Sequence, residues 1–150
     1  MFEALRAGLK GQLERRRHRP FLEAAMASCA LVAIADGVVT LSERSRVDQI
    51  LERLDELRFF DVHEAIDLFN DYVEGIEAHN KIGRKKALDA VAKMKGERAE
   101  ARLLIRICLA VSFADEAFPD SERQEVEAIC KLLGFDPQEF LGDLEPPTPV

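Results

Sequence analysis

Displaced by 79 residues, the chain matches itself. Cys29 falls on Cys108, Val32 on Val111, Ala35 on Ala114 and Asp36 on Asp115. Ser42, Glu43 and Arg44 fall on Ser121, Glu122 and Arg123, and Val47, Ile50 and Leu54 on Val126, Ile129 and Leu133. These are ten identities across the 26 positions 29–54, where ordinary composition gives about two by chance. Each copy reads as an apolar helix, an acidic bend and an amphipathic helix. Two copies are too few, and the period too long, for a solenoid. They fit one bundle with an internal pseudo-two-fold repeat, in which the two apolar helices share a core. That symmetry is expected to set the two acidic bends side by side.

Apolar spacing and end signals predict an all-α fold, a single helical bundle of about seven to eight helices with no strand. The first helix is expected from Phe2 to about Arg17, with Phe2, Leu5, Leu9 and Leu13 on one stripe. Pro20 is expected to end it, because proline disfavours helix in the residue before it. The second, from about Pro20 to Ala35, is apolar nearly all round and belongs in the middle of the bundle, with Gly37 as its left-handed stop. Thr40 with Glu43 and Asp61 with Glu64 have the spacing of capping boxes, opening helices to about Leu54 and Ala78. A basic helix follows from about Arg84 to Lys95, then Gly96, an apolar helix over about 97–114, and another from Pro119 to Gly134. Asp136-Pro137-Gln138-Glu139 starts a short last turn. The organisation is therefore an amphipathic basic helix over 1–19, a helical domain over 20–142 and a Pro-rich tail over 143–150.

Charge and thiols narrow the function classes. The net charge is -7 over 150 residues, unevenly spread. Residues 1–20 carry six basic against two acidic side chains, a balance of +4, and the remainder fifteen against twenty-six, a balance of -11. An acidic body opposes general nucleic-acid binding, which draws on counterion release by Lys and Arg. No apolar run reaches the ~18 residues of a membrane span, and no signal peptide with a small-residue cleavage site is visible. Cys29, Cys108 and Cys130 lie in apolar stretches with no CxxC. They read as buried thiols in a reducing compartment, so a cytoplasmic home is expected.

The acidic bends carry the candidate chemistry. Asp36 and Asp115 close a helix, where the dipole disfavours a carboxylate, and Glu43 and Glu122 open the next, where it favours one. Helix capping and ion pairs to Arg44 and Arg123 account for these acids in structural terms. They account less well for Glu122, because Pro119 stands where Thr40 does and has no side-chain acceptor. The alternative is a hard-cation site of Asp36, Glu43, Asp115 and Glu122. Oxygen ligands of this kind suit Ca²⁺ or Mg²⁺. Zinc does not fit, since His18, His63 and His79 lie outside both bends.

The doubled Ala-Asp-(Gly)-x-x-x-x-Ser-Glu-Arg pattern resembles the TerB family, the bacterial tellurite-resistance domain, and is similar to the N-terminal domain of the membrane-anchored co-chaperone DjlA. The resemblance covers about residues 20–142. It rests on Ala35, Asp36, Gly37, Glu43 and Arg44, echoed by Ala114, Asp115, Glu122 and Arg123. It implies an all-helical fold of two related halves and a cytoplasmic role in stress or metal resistance. It also implies an acidic face that binds metal ions or partner proteins, at times at the inner membrane. The second bend departs from the pattern, with Glu116 for the glycine and Phe118-Pro119 stiffening it.

Three other features remain. The basic stripe-bearing helix 1–19 is suited to peripheral contact with an anionic membrane, or to packing on the bundle or on another chain. Lys81, Arg84, Lys85, Lys86, Lys93 and Lys95 read as a solvated face. No nucleophile elbow, phosphate loop or HExxH appears, so a non-enzymatic module is expected. Its partners would be other stress-resistance or membrane proteins, and the sequence sets no oligomeric state.

Overall fold

A computed structural model describes residues 2–115 and 118–142, without the side chains of Glu14, Arg15 and Asp115. The expected tail 143–150 and the residues Glu116 and Ala117 lie outside the described residues. Among the described residues seven α-helices follow one another: α1 (Phe2–Ala33), α2 (Leu41–Arg53), α3 (Val62–Ala78), α4 (Asn80–Ala92), α5 (Arg98–Ser112), α6 (Asp120–Leu132) and α7 (Gln138–Leu141). Two short 3-10 turns, Asp55–Leu57 and Phe113–Asp115, precede α3 and α6. No strand occurs among the described residues.

The second half of α1 is the axis of the bundle. From Phe21 to Ala33 every residue but Glu23 is buried, and this stretch packs against α3, α4, α5 and α6. Small side chains (Ala24, Ala25, Ala27, Ala30, Ala33) let the neighbouring helices approach on all sides, while Leu22, Met26, Leu31 and Val32 fill the remaining volume. A helix apolar all round has no other place in a water-soluble bundle. α5 lies against it, as the repeat suggests for the two apolar helices. Three matched pairs, Cys29 with Cys108, Val32 with Val111 and Val47 with Val126, are fully buried, whereas Ile50 and Leu54 are only half-buried where Ile129 and Leu133 are buried.

Pro20 does not end the first helix. α1 runs through it without interruption, so the two helices expected on either side are one. A proline ring removes one backbone hydrogen bond and crowds the turn before it, but that turn holds the exposed Arg16 and Arg17, where water can serve the freed carbonyl. Contacts on both sides hold the helix together there. His18 stacks on Phe59 with ring centroids 5.4 Å apart, and Arg19 pairs with both Glu23 and Glu64. Pro20 instead marks where the helix enters the bundle, exposed before it and buried after it.

The corner between α3 and α4 is tighter than the sequence suggests. His79 alone connects them, capping α4 by accepting from the Ile82 N–H at Nδ1 (3.4 Å), so α4 begins four residues before the expected Arg84. Gly83 then faces the backbone of Gly75 so closely that a Cβ at 83 would lie 2.4 Å from the Gly75 carbonyl. The second expected capping box is also half made: Asp61 accepts from the His63 N–H (2.8 Å), while Glu64 engages Arg19.

Candidate functional site

Each acidic bend is built by the end of one helix and the cap of the next. After Ala33 the chain turns through Ile34–Asp36, closed by the Gly37 N–H donating to the Ile34 carbonyl (2.8 Å), and Gly37 takes a φ of 92° that only glycine adopts readily. Asp36 is exposed, and its Oδ1 accepts from the Val38 N–H (3.1 Å). The capping box then forms as its spacing requires. The Glu43 N–H donates to Thr40 Oγ1 (3.1 Å), and the Thr40 N–H donates to Glu43 Oε1 (2.9 Å). This reciprocal bond draws Glu43 inward until it is 1% exposed, leaving its Oε2 buried with no hydrogen-bond partner. A buried carboxylate oxygen left unsatisfied costs about 1–3 kcal/mol or more.

The second bend follows the 3-10 turn Phe113–Asp115. Phe118 stacks on Phe113 (4.9 Å), and Pro119 takes the cap position of α6 with no side-chain bond. Glu122 is nevertheless as buried as its counterpart, at 3% exposed. Of the two arginines expected to pair with these acids, Arg44 goes elsewhere, donating to Asn70 Oδ1 (3.0 Å) and lying over the Phe69 ring; Arg123 lies over Phe118. In place of an ion pair with Glu43, Arg44 makes a cation–π contact and a hydrogen bond to a side-chain amide oxygen.

The helices cross so that each bend meets the other copy. α2 packs against the 3-10 turn Phe113–Asp115. Ile34 and Ala35 of the first bend share a groove of about 290 Å³ with Ser121, Gln124 and Glu125 of α6. Both bends therefore lie at one end of the bundle. The side chain of Asp115 lies outside the described residues, and among the described residues no three His, Cys, Asp or Glu side chains converge to hold a metal ion. Of the four expected ligands, Asp36 is open to solvent and Glu43 and Glu122 are buried.

Features that the repeat did not signal also border this end. Arg84 of α4 forms a fork with Glu125 of α6, Nη2 to Oε1 at 2.8 Å and Nε to Oε2 at 3.3 Å, across the same groove. Between α2 and α5 lies an apolar groove of about 270 Å³ floored by Ile50, Leu54 and Ile107 and rimmed by Arg46, Arg53 and Arg106. Arg46 donates to the Ala110 carbonyl there (3.3 Å). Helical spacing shows that such arginines are present on α2 and α5, but not which way the helices turn them.

The thiols offer no reactive site. Burial pushes Cys29 up to about 12, and Cys130 up to about 11 with help from the Glu127 charge. Burial, and then the proximity of Cys29, holds Cys108 well above the usual thiol range. Because the thiolate is the nucleophile, native alkylation by iodoacetamide at pH 8 is expected to run at least ~100-fold slower than in urea. One cysteine modified at the unfolded rate would contradict this. The raised values also set a sign. The unfolded chain sheds thiol protons above about pH 9 while the native one keeps them, so stability is expected to fall as pH rises from there toward 11–12.

Residues 22–142 match the family profile described as tellurite resistance protein TerB. A curated relative, the tellurium resistance protein TerB of an Alcaligenes species, is 28% identical over 102 residues, covering 68% of this chain and 84% of the relative. No solved structure matches the chain.

Proposed function

Because the chain belongs to the TerB tellurite-resistance family, we propose that it acts as a non-enzymatic resistance module whose paired bends take up a divalent cation through Asp36, Glu43, Asp115 and Glu122. The observation that supports this is the buried Glu43 Oε2, which has no hydrogen-bond partner beneath a bend lying at the same end of the bundle as its counterpart. A hard cation, or water held on one, supplies what that oxygen lacks. All-oxygen donors favour Ca²⁺ or Mg²⁺ over softer metals. The cytoplasm, whose reducing setting suits three free buried thiols, is the proposed location. No helix among the described residues is long and apolar enough to cross a membrane.

Titration with Ca²⁺ and with Mg²⁺, followed by amide NMR, tests the reading. Shifts concentrated at residues 34–43 and 113–122, and abolished by Asp36→Asn, are expected. No movement at millimolar ion would leave the second reading, an adaptor at or near the inner membrane with no bound metal. The apolar groove between α2 and α5, with its three arginines, favours that reading as a seat for an acidic protein segment.

A further inference from the structure

The part of α1 before Pro20 contributes nothing to the core. Phe2, Leu5, Leu9 and Leu13 are 76%, 63%, 53% and 65% exposed, although the helix that carries them continues into the most buried element of the protein. At about 100° per residue these four side chains fall within a sector of about 80°. Arg6, Lys10 and Arg17 border that sector on one side, and Arg16 continues its line one turn beyond Leu13; all four are exposed. The base of this arm is fixed to the body by the His18–Phe59 stack and by Arg19 with Glu64, so the stripe is held outward.

We propose that residues 2–19 form an interfacial helix that docks the protein on an anionic lipid surface, the stripe entering the acyl boundary and Arg6, Lys10, Arg16 and Arg17 meeting lipid phosphates. The argument is charge complementarity joined to an apolar face. A lipid surface answers both halves at once, hydrocarbon for the stripe and phosphate for its border. Nucleic acid would satisfy the cations and leave the stripe in water. A second copy of this chain fits worse. Two arms side by side would oppose cation to cation, and one apolar residue per turn over about three turns falls short of a sustained a/d seam. The apolar groove between α2 and α5 is rimmed by arginines and would repel the arm. The larger groove along α3 and α4, about 590 Å³, sets Lys85, Lys86 and Lys93 among Glu23, Asp71 and Asp89, so it carries no excess of negative charge to receive the arm.

Sedimentation of the full chain with phosphatidylcholine vesicles, with and without about 30% phosphatidylglycerol, tests this. Binding to the anionic vesicles is expected to exceed binding to neutral ones by about 10-fold or more, and to weaken with salt. The double variant Leu5→Glu/Leu9→Glu is expected to lower it at least ~10-fold, and Arg6→Gln/Lys10→Gln/Arg16→Gln/Arg17→Gln by a similar factor. Both variants should keep the wild-type melting curve, because every substituted side chain is exposed. Wild-type protein left in the supernatant at millimolar lipid overturns the proposal, as does equal binding by the stripe variant. A wild-type dimer in light scattering that Leu5→Glu/Leu9→Glu returns to monomer also overturns it, in favour of a second copy. Each of these results leaves the cation site of the bends untouched.

Discussion

Replacing Gly83 by alanine is expected to destabilise the protein by about 3 kcal/mol, the upper part of the overpacking range. The added methyl would lie 2.4 Å from the Gly75 carbonyl carbon and oxygen and 2.5 Å from the Ile76 nitrogen. All three are backbone atoms, so nothing can swing aside. α4 would have to retreat from α3 by about 1 Å to restore ordinary contact, yet His79 alone joins the two helices and its ring caps the second. At this chain length the loss corresponds to a melting point lower by about 6–12 °C. The partner position behaves oppositely. A Cβ at Gly75 meets nothing within 4 Å, so Gly75→Ala should leave the melting point unchanged or raise it, alanine being the better helix former by about 1 kcal/mol. Equal melting of Gly83→Ala and wild type would mean that the two helices are not in this register.

The second large effect concerns Glu43. In metal-free buffer Glu43→Gln is expected to melt at or above wild type, since the amide oxygen still accepts from the Thr40 N–H and the buried charge is gone. Glu43→Ala removes the cap acceptor as well and should lose about 1–2 kcal/mol. On the proposed cation reading, calcium is expected to reverse the order of wild type and Glu43→Gln. At a hundredfold excess over its dissociation constant, the ion would stabilise wild type by about 2.7 kcal/mol, or about 5–11 °C in melting point. Glu43→Gln should forgo most of that rise. A scan in which neither Ca²⁺ nor Mg²⁺ moves the wild-type curve would sink the ion reading and leave the adaptor.

What the sequence discloses here is mostly local chemistry. Thr40 and Glu43 sit three apart before an apolar run, and that spacing alone implies the two bonds observed. Gly37, Gly96 and Gly134 stand where helices stop, and all three have positive φ. The burial of residues 21–33 follows from an apolar surface with no polar side to turn outward. Tertiary competition hides the rest. Pro20 is a breaker by local rule, but contacts made by His18 and Arg19 with residues about forty positions away outweigh one missing hydrogen bond. Glu64 has the spacing of a capping box and a stronger attraction in Arg19. Gly83 looks like a helix breaker and proves to be a packing requirement. At the site, the repeat implied that Glu43 and Glu122 share a role, and both are buried. That the bends lie at one end of the bundle depends on how α2 and α6 cross, which no spacing encodes.

The continuity of α1 has a mechanical consequence. At 1.5 Å per residue its 32 residues make a shaft about 48 Å long, reaching from the tip at Phe2 to the turn that bears Asp36. Pro20, just past the midpoint, is where such a shaft yields. Load applied at the tip therefore meets the body at one place, the collar of His18 on Phe59 and Arg19 with Glu64 beside that proline, with no loop before it to absorb the strain.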